Sequence, residues 1–197
     1  MKRLRQPNDF YCGPASLAML ASFHGIDLNQ DDIVTAAGIT KTVKTHGIFL
    51  EGMATASQIL LPSLQFWYKR DSTLAELSQL INDLLLPVGV EWQGNFEDDD
   101  DDEEGESEDS DDDPGHYSVV TGLSTGENWL TLANPYHNKG IDKQFTILEF
   151  ERRWWDVNEV TDPNTGRHHE VDDYHALFFL TSKDSPPPIS NLTQSNV

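Results

Sequence analysis

The sequence near the N-terminus reads Gln6-Pro7-Asn8-Asp9-Phe10-Tyr11-Cys12-Gly13-Pro14-Ala15-Ser16 and contains the only cysteine of the 197-residue chain. The residues that follow are mostly good helix formers, and Gly25 suits the left-handed position that ends a helix. Proline at position 14 is tolerated in a first helical turn, where the missing N–H leaves nothing unpaired. The pattern therefore predicts a buried helix that begins at or just after Cys12.

A cysteine at the start of a helix is well placed for nucleophilic chemistry. The unpaired N–H groups and the positive end of the helix dipole favour a thiolate there. The pKa of a thiol in such a place, beside an imidazolium, falls from about 8.5 to roughly 3.5–7.5. A lone cysteine is equally compatible with a small buried hydrophobic residue. Cys12 alone does not decide between these two interpretations.

Three further side chains form a pattern with Cys12. Gln6 precedes it by six positions, His116 opens an apolar strand-like run, and Asn134 follows another such run. Glutamine, cysteine, histidine and asparagine in this order are the side chains of a papain-type site. Each has a plain structural alternative: a surface residue of an N-terminal arm, the start of a strand, and an Asn-Pro turn pair. Their joint occurrence in this order favours the functional interpretation.

The motifs around these residues resemble those of the papain-like cysteine peptidases of family thirty-nine. This group includes the peptidase domains that cut bacteriocin leader peptides after a double glycine. The resemblance extends over about residues 5–181 and is carried by residues 6–16, by Gly115-His116-Tyr117-Ser118-Val119-Val120-Thr121-Gly122 and by Ala133-Asn134-Pro135-Tyr136.

The resemblance implies a role for each of the four candidate residues. Cys12 would attack as a thiolate, and His116 would hold it in an ion pair and later protonate the leaving amine. Asn134 would orient the imidazole ring, and Gln6 would donate to the developing oxyanion together with the backbone N–H of Cys12. Asparagine at position 134 is a departure, because the bacteriocin-processing members more often carry aspartate there.

The order of predicted elements indicates an α+β fold. Helices come mainly first and strands mainly later, with little alternation, so we expect an N-terminal helical part packed on a C-terminal antiparallel sheet, as in papain-like peptidases. Residues 40–48 are predicted to be a loop. The predicted helices cover residues 12–24, 27–38, 49–61, 72–84 and 147–155, and the predicted strands 64–68, 88–92, 116–122, 128–133, 144–146 and 174–181.

The length fits one peptidase domain over residues 1–182, followed by a flexible, proline-containing tail over residues 183–197. An acidic insertion at residues 96–114 interrupts the domain. Residues 97–113 supply fourteen of the 34 carboxylates and no basic residue, and they account for two thirds of the formal charge of −21. Blocks of like charge are normally solvated and disordered. Because the insertion lies just before His116, we hypothesise that it repels acidic substrates and attracts basic peptides, or that it partly screens the site.

Several classes of protein are disfavoured by the sequence. No basic patch faces nucleic acid, a single cysteine forms no internal disulfide, and neither a signal peptide nor an apolar run of membrane-spanning length occurs. We expect a bacterial, cytoplasmic protein that uses no cofactor or metal. The predicted function is cysteine-dependent hydrolysis of peptide or protein substrates. An acyl transferase or deamidase, and a non-catalytic peptide-binding module, remain as alternatives on the same fold.

Overall fold

The computed structural model describes residues 1–93, 115–136, 142–161 and 168–194. For residues 159–161 and 168–171 it describes the backbone alone. The predicted acidic insertion at 96–114 lies outside the described residues.

The N-terminal part is helical, as predicted. Its first helix begins at Cys12 and is followed by Gly25 at φ 78°, the left-handed conformation that ends many helices. The second helix is capped by Asn29, whose side chain accepts a hydrogen bond from the backbone N–H of Asp31 at 2.8 Å. The loop predicted for residues 40–48 is partly wrong, because it contains a one-turn helix. The four helices are α1 (Cys12–Phe23), α2 (Gln30–Ala36), α3 (Val43–His46) and α4 (Leu50–Leu60).

The remaining described chain forms mainly strands. Two short helices, α5 (Leu74–Ser78) and α6 (Ile147–Arg153), each begin with a capping box, and α5 continues as a π-helical turn over Gln79–Asp83. The strands are β1 (Leu64–Lys69), β2 (Val88–Gln93), β3 (Gly115–Ser124), β4 (Trp129–Ala133), β5 (Asp142–Thr146), β6 (Trp155–Thr161), β7 (His168–Tyr174), β8 (Leu177–Ser182) and β9 (Thr193–Gln194).

Seven of the described strands form one antiparallel sheet in the order β5-β4-β3-β2-β8-β1-β9. Successive side chains of a strand point to opposite faces, so each face carries its own apolar core. Tyr117 and Val119 of β3 pack with α1 and α4 in one core. Val120 packs with Trp92 and Phe150 in the other, beside α5 and α6. The sheet therefore lies between two helical layers, and the predicted α+β class is confirmed.

The structure differs from the sequence predictions in two regions, the segment after α6 and the C-terminal tail. The hairpin of β6 and β7 was not predicted, and Trp155, expected to end α6, begins β6 instead. The tail from residue 183 onward was expected to remain unpacked. Within its described part, Ile189 is 9% exposed and β9 pairs with β1 through Thr193. An apolar side chain and two strand residues are sufficient to hold this segment against the sheet edge.

An N-terminal arm, residues 1–6, crosses from the helical part to the sheet. Lys2 forms an ion pair with Asp27 at 2.6 Å, and Arg3 forms a two-pronged ion pair with Asp142 of β5 at 2.5 and 2.6 Å. The arm ends at Gln6, so its course fixes where that side chain enters the fold. Among the helices of the described residues, none is long and apolar enough to cross a membrane.

Candidate active site

Cys12 lies where α1 meets the middle of the sheet. Its sulfur accepts a hydrogen bond from the backbone N–H of Tyr117 in β3. The helix approaches closely because residue 13 is glycine, whose missing Cβ would overlap the side chain of Ile48 and press on the ring of Tyr117. The thiol therefore lies next to the peptide group that joins His116 to Tyr117, although these residues are more than a hundred positions apart.

His116 and Asn134 are in direct contact. The Nε2 atom of His116 lies 2.8 Å from Oδ1 of Asn134, which follows β4, the antiparallel neighbour of β3. The same Oδ1 accepts the backbone N–H of Tyr136 at 2.9 Å. Because that N–H can only donate, the shared atom is the amide oxygen and His116 donates from Nε2–H. The lone pair of the neutral ring is then on Nδ1.

Gln6 is held beside the segment that carries Asn134. Its backbone N–H donates to the carbonyl of Pro135 at 2.6 Å, and its side-chain Nε2 donates to the carbonyl of Asn8 at 2.8 Å. The side chain is only 2% exposed, and its Oε1 has no hydrogen-bond partner among the described residues. A buried amide oxygen without a partner costs about 1–3 kcal/mol, so hydrogen bonding alone does not explain this placement.

The protonation of the site differs from the sequence expectation. Burial raises the pKa of the Cys12 thiol to about 11, and this outweighs the hydrogen bonds from the N–H groups of Tyr117 and Gly13, which lower it. Burial also lowers the pKa of His116 to about 4, although the hydrogen bond to Asn134 raises it. At neutral pH the resting pair is therefore thiol and neutral imidazole. The expected thiolate–imidazolium pair is disfavoured because neither charge is solvated.

Cys12 opens onto a cleft of about 460 Å³ between the helical part, the sheet and β6. Gly115 and Tyr117, on either side of His116, both line this cleft, whereas His116, Asn134 and Gln6 do not. The remaining lining residues come from the loop before α1, from the α3 region and from the strands: Asp9, Phe10, Thr45, His46, Gly47, Ile48, Phe49, Glu91, Asp156, Val157 and Asn158.

Two carboxyl groups form the inner wall of this cleft. Glu91 of β2 pairs with Tyr117 in the β2–β3 register and accepts a hydrogen bond from the Tyr117 hydroxyl. Glu91 also hydrogen-bonds to Asp156 of β6, and the two side chains are 1% and 6% exposed. A hydrogen bond between two carboxyl groups requires a proton on one of them.

The electrostatics of the pair agree with a shared proton. Burial raises the pKa of Asp156 to about 6, and burial together with the charge of Asp156 raises the pKa of Glu91 well above its usual range. Glu91 also raises the pKa of the Cys12 thiol, which shows how close the pair lies to the sulfur. We call these two residues the acid pair.

The fold and the residues around Cys12 can be compared with known proteins. The model of the "Peptidase_C39 like family" matches residues 1–162. The chain belongs to this family. It is a cysteine peptidase with a papain-like α+β fold.

A solved structure shares the fold of this Peptidase_C39-like chain. It is the peptidase domain of Streptococcus ComA, a bi-functional ABC transporter involved in a quorum-sensing pathway. The two superpose with a TM-score of 0.58 at 18% identity, over 91% of this chain and 97% of that domain. A comparison with curated protein sequences gives no match.

Of the four residues predicted from the sequence, the structure brings His116 and Asn134 into contact and places Cys12 beside the peptide that follows His116. Gln6 reaches the same region through Pro135. The acid pair was missed. A usable signal existed for Glu91, which is the only charged residue in the otherwise apolar strand Val88–Trp92. Asp156 carried no comparable signal, because the hairpin that holds it was not predicted.

Proposed function

We propose that this Peptidase_C39-like protein hydrolyses peptide bonds with Cys12 as nucleophile, His116 as proton carrier, Asn134 as orienting residue and Gln6 as an oxyanion donor. One observation carries the proposal. The Cys12 sulfur is hydrogen-bonded to the residue that follows His116, while His116 is itself hydrogen-bonded to Asn134. These contacts connect the nucleophile to the strand that carries the base, and the base to its orienting group, and they support the assignment of these roles.

The first half of the reaction forms an acyl-enzyme. The Cys12 sulfur attacks the scissile carbonyl carbon while the thiol proton passes to Nδ1 of His116. The carbonyl oxygen becomes an oxyanion. As the tetrahedral intermediate collapses, His116 gives its proton to the leaving nitrogen, the C–N bond breaks and an amine departs. A thioester to Cys12 remains.

The second half releases the acid. Water attacks the thioester carbonyl and gives a proton to Nδ1 of His116. The C–S bond then breaks, the proton returns to sulfur, and a carboxylic acid product leaves. The enzyme is regenerated with thiol and neutral imidazole, the forms that burial favours before the reaction.

The surroundings of the pair assist these proton transfers. Asn134 accepts from Nε2–H throughout, so the ring keeps Nδ1 turned to the proton that moves and the imidazolium is stabilised when it forms. The oxyanion would accept from the Gln6 side chain and the backbone N–H of Cys12. One such donor contributes about 10²–10³ in rate.

We also propose a bacterial, cytoplasmic setting. The nucleophile is the only cysteine of the chain. A reducing compartment would keep it as a free thiol, whereas oxidation would stop the chemistry.

The test combines labelling of the thiol with a search for cleavage. Iodoacetamide or an epoxide probe is expected to modify Cys12 at a rate that rises with pH beyond neutrality, because the thiol pKa is about 11. An epoxide whose ring opening needs proton donation by His116 should label Cys12 in the wild-type protein and not in His116→Ala. His24→Ala, at the end of α1, is the matched control and should label normally.

A peptide library then separates the possible reactions. New carboxyl termini establish hydrolysis, and products joined to an added amine establish acyl transfer. A folded protein whose Cys12 resists every probe and that cleaves no peptide would contradict the proposal and favour a peptide-binding module.

A further inference from the structure

Among the described residues, the acid pair lacks the cation that normally accompanies buried carboxylates. Nearby, Asp173 is neutralised by Arg70 at 2.6 Å, and the same arginine reaches Glu51 at 2.9 Å. In the part of the chain that the structure describes, no lysine or arginine forms an ion pair with Glu91 or Asp156. Buried charges are usually paired, so an uncompensated pair at a cleft wall calls for an explanation.

The hydrogen bonds of the pair are also incomplete. Oδ1 of Asp156 is saturated by the side chain of Gln93 at 2.6 Å and the backbone N–H of Val157 at 2.7 Å. In contrast, Glu91 has side-chain hydrogen bonds with Tyr117 and Asn158, but its Oε2 is buried and has no hydrogen-bond partner among the described residues. Since Glu91 lines the cleft, this oxygen is an unused acceptor just beneath the cleft wall.

A purely structural role or a metal site accounts for these facts less well. A structural carboxyl pair would be expected to have all its oxygens satisfied, because each orphaned acceptor costs stability. Within the described ranges, no group of three or more histidine, cysteine, aspartate or glutamate side chains is arranged to hold a metal ion. What is missing is one donor with a positive charge.

We infer that Glu91 and Asp156 form a subsite for a positively charged nitrogen of the peptide substrate, bound beside Cys12. The nitrogen belongs to a lysine or arginine side chain. This inference rests on the proposed function, since it names the substrate class of the same cleft. On binding, the shared proton leaves to solvent, and two carboxylates then face the cation.

The rest of the cleft suits such a group. Phe10, Ile48 and Phe49 form an apolar wall from the helical part, against which the methylene stem of a long basic side chain would pack. Gly115 has no side chain, and any Cβ there would collide with the carboxylate of Asp156. The backbone before His116 therefore packs directly against the carboxylate of Asp156.

Binding to an inactive protein tests the subsite separately from catalysis. In the Cys12→Ala protein, peptides that carry lysine at successive positions are compared by calorimetry with the same peptides carrying norleucine. A lysine peptide should bind about tenfold more tightly or better, the gain of one hydrogen bond between charged groups. Measurement in two buffers of different ionisation enthalpy should show proton release for lysine and none for norleucine.

Variants of the acid pair provide the matched comparison. Asp156→Asn and the double variant Glu91→Gln/Asp156→Asn, each added to Cys12→Ala, should lose both the lysine preference and the proton release. Asp32→Asn, which removes an exposed carboxylate from α2, should retain both. If the double variant fails to fold, the single variant and the proton release in the parent still decide the matter.

The outcomes separate the subsite from the proposed function. If lysine peptides are preferred and release a proton on binding, but the wild-type protein cleaves no peptide, the subsite is supported and the peptidase mechanism is contradicted. Cleavage by wild type with equal binding of lysine and norleucine peptides overturns the subsite alone. N-terminal acetylation of both peptides is the control, and the lysine preference should survive it because the bound nitrogen belongs to the side chain.

Discussion

Two pairs of side chains adjoin the Cys12 region, and they differ in completeness. His116 and Asn134 form a neutral pair whose amide oxygen serves two donors. Glu91 and Asp156 carry charge, share a proton and leave one oxygen unpartnered at the cleft. The hydrogen bonds of the first pair are satisfied within the protein, as expected of groups that must hold one geometry. In our proposal, those of the second pair are satisfied only when a substrate group binds.

The largest effect is expected when the proposed nucleophile or the proposed base is removed. Cys12→Ala and His116→Ala should each reduce kcat/KM about 10⁴-fold or more, because nucleophile and base act as one unit. The double variant should be no worse than either single variant. Steady-state cleavage of the best library peptide measures this, and an active Cys12→Ala protein would place the chemistry elsewhere.

Gln6 tests whether the oxyanion is bound from the N-terminal arm. Gln6→Ala should lower kcat about 10²–10³-fold with little change in KM, because the lost donor acts only in the transition state. Gln58→Ala, an exposed glutamine of α4, is the control and should leave both constants unchanged. A rise in KM with constant kcat would show that Gln6 holds substrate instead.

Asn134 allows a direct comparison of the two pairs, because Asn134→Asp gives the His116 pair a carboxylate like those of the acid pair. Asn134→Ala should lower kcat/KM about 10²-fold through loss of ring orientation. Asn134→Asp should retain more activity. Because a carboxylate stabilises the imidazolium, it should raise the pKa of His116 from about 4 and move the acid limb of the pH–rate profile upward. An unmoved acid limb in Asn134→Asp would show that this limb does not report on His116.

The smallest effect concerns stability and the acid pair alone. The pKa of Glu91 is higher in the folded protein than its ordinary 4.5, so the folded state holds a proton that the unfolded chain has lost. Stability from this group is therefore complete below pH 4.5 and is lost as the pH rises through the folded value. The glutamine side chain of Glu91→Gln does not titrate. The free energy of unfolding of this variant relative to wild type, measured in urea, should therefore increase from pH 4 to pH 8.

An opposite case on the surface provides the control for that experiment. The pKa of Glu149 is lowered by its hydrogen bond to Thr146 in the capping box of α6. Glu149→Gln should therefore be less stable than wild type above pH 4.5, and this deficit should shrink as the pH falls through the lowered pKa of Glu149. If both variants changed in the same direction with pH, the assignment of the Glu91 effect to burial would be wrong.

Much of the fold was predictable because local signals agreed with the tertiary structure. The helix after Cys12 was bounded correctly because Gly25 provides a stop signal that depends on backbone conformation alone. The hairpin of β6 and β7 was missed although Asp162-Pro163-Asn164-Thr165-Gly166 is a turn-type sequence, because the segments on either side are mostly charged or polar. The packing of Ile189 was missed because a single apolar residue after three prolines shows no periodicity.

The residues of the candidate site could be proposed from the sequence, whereas their electrostatic environment could not. Residue types and order indicated Cys12, His116 and Asn134, since the chemistry demands those groups. Burial opposes the thiolate expected at Cys12, and the sequence could not indicate this because the helix N-terminus is a local feature, whereas burial depends on the whole packed cleft. The acid pair joins β2 to a hairpin over sixty positions later, and no short-range pattern in the sequence indicates such a meeting.

The course of the N-terminal arm has a consequence for how the enzyme responds to its medium. Gln6 is positioned by a segment whose outer contacts are ion pairs on the surface, Lys2 with Asp27 and Arg3 with Asp142. Such pairs each contribute little to stability and weaken as counter-ions accumulate. Raising the ionic strength should thus loosen the arm that carries Gln6, the proposed oxyanion donor, while both apolar cores stay intact, and turnover should decline in a molecule that remains folded.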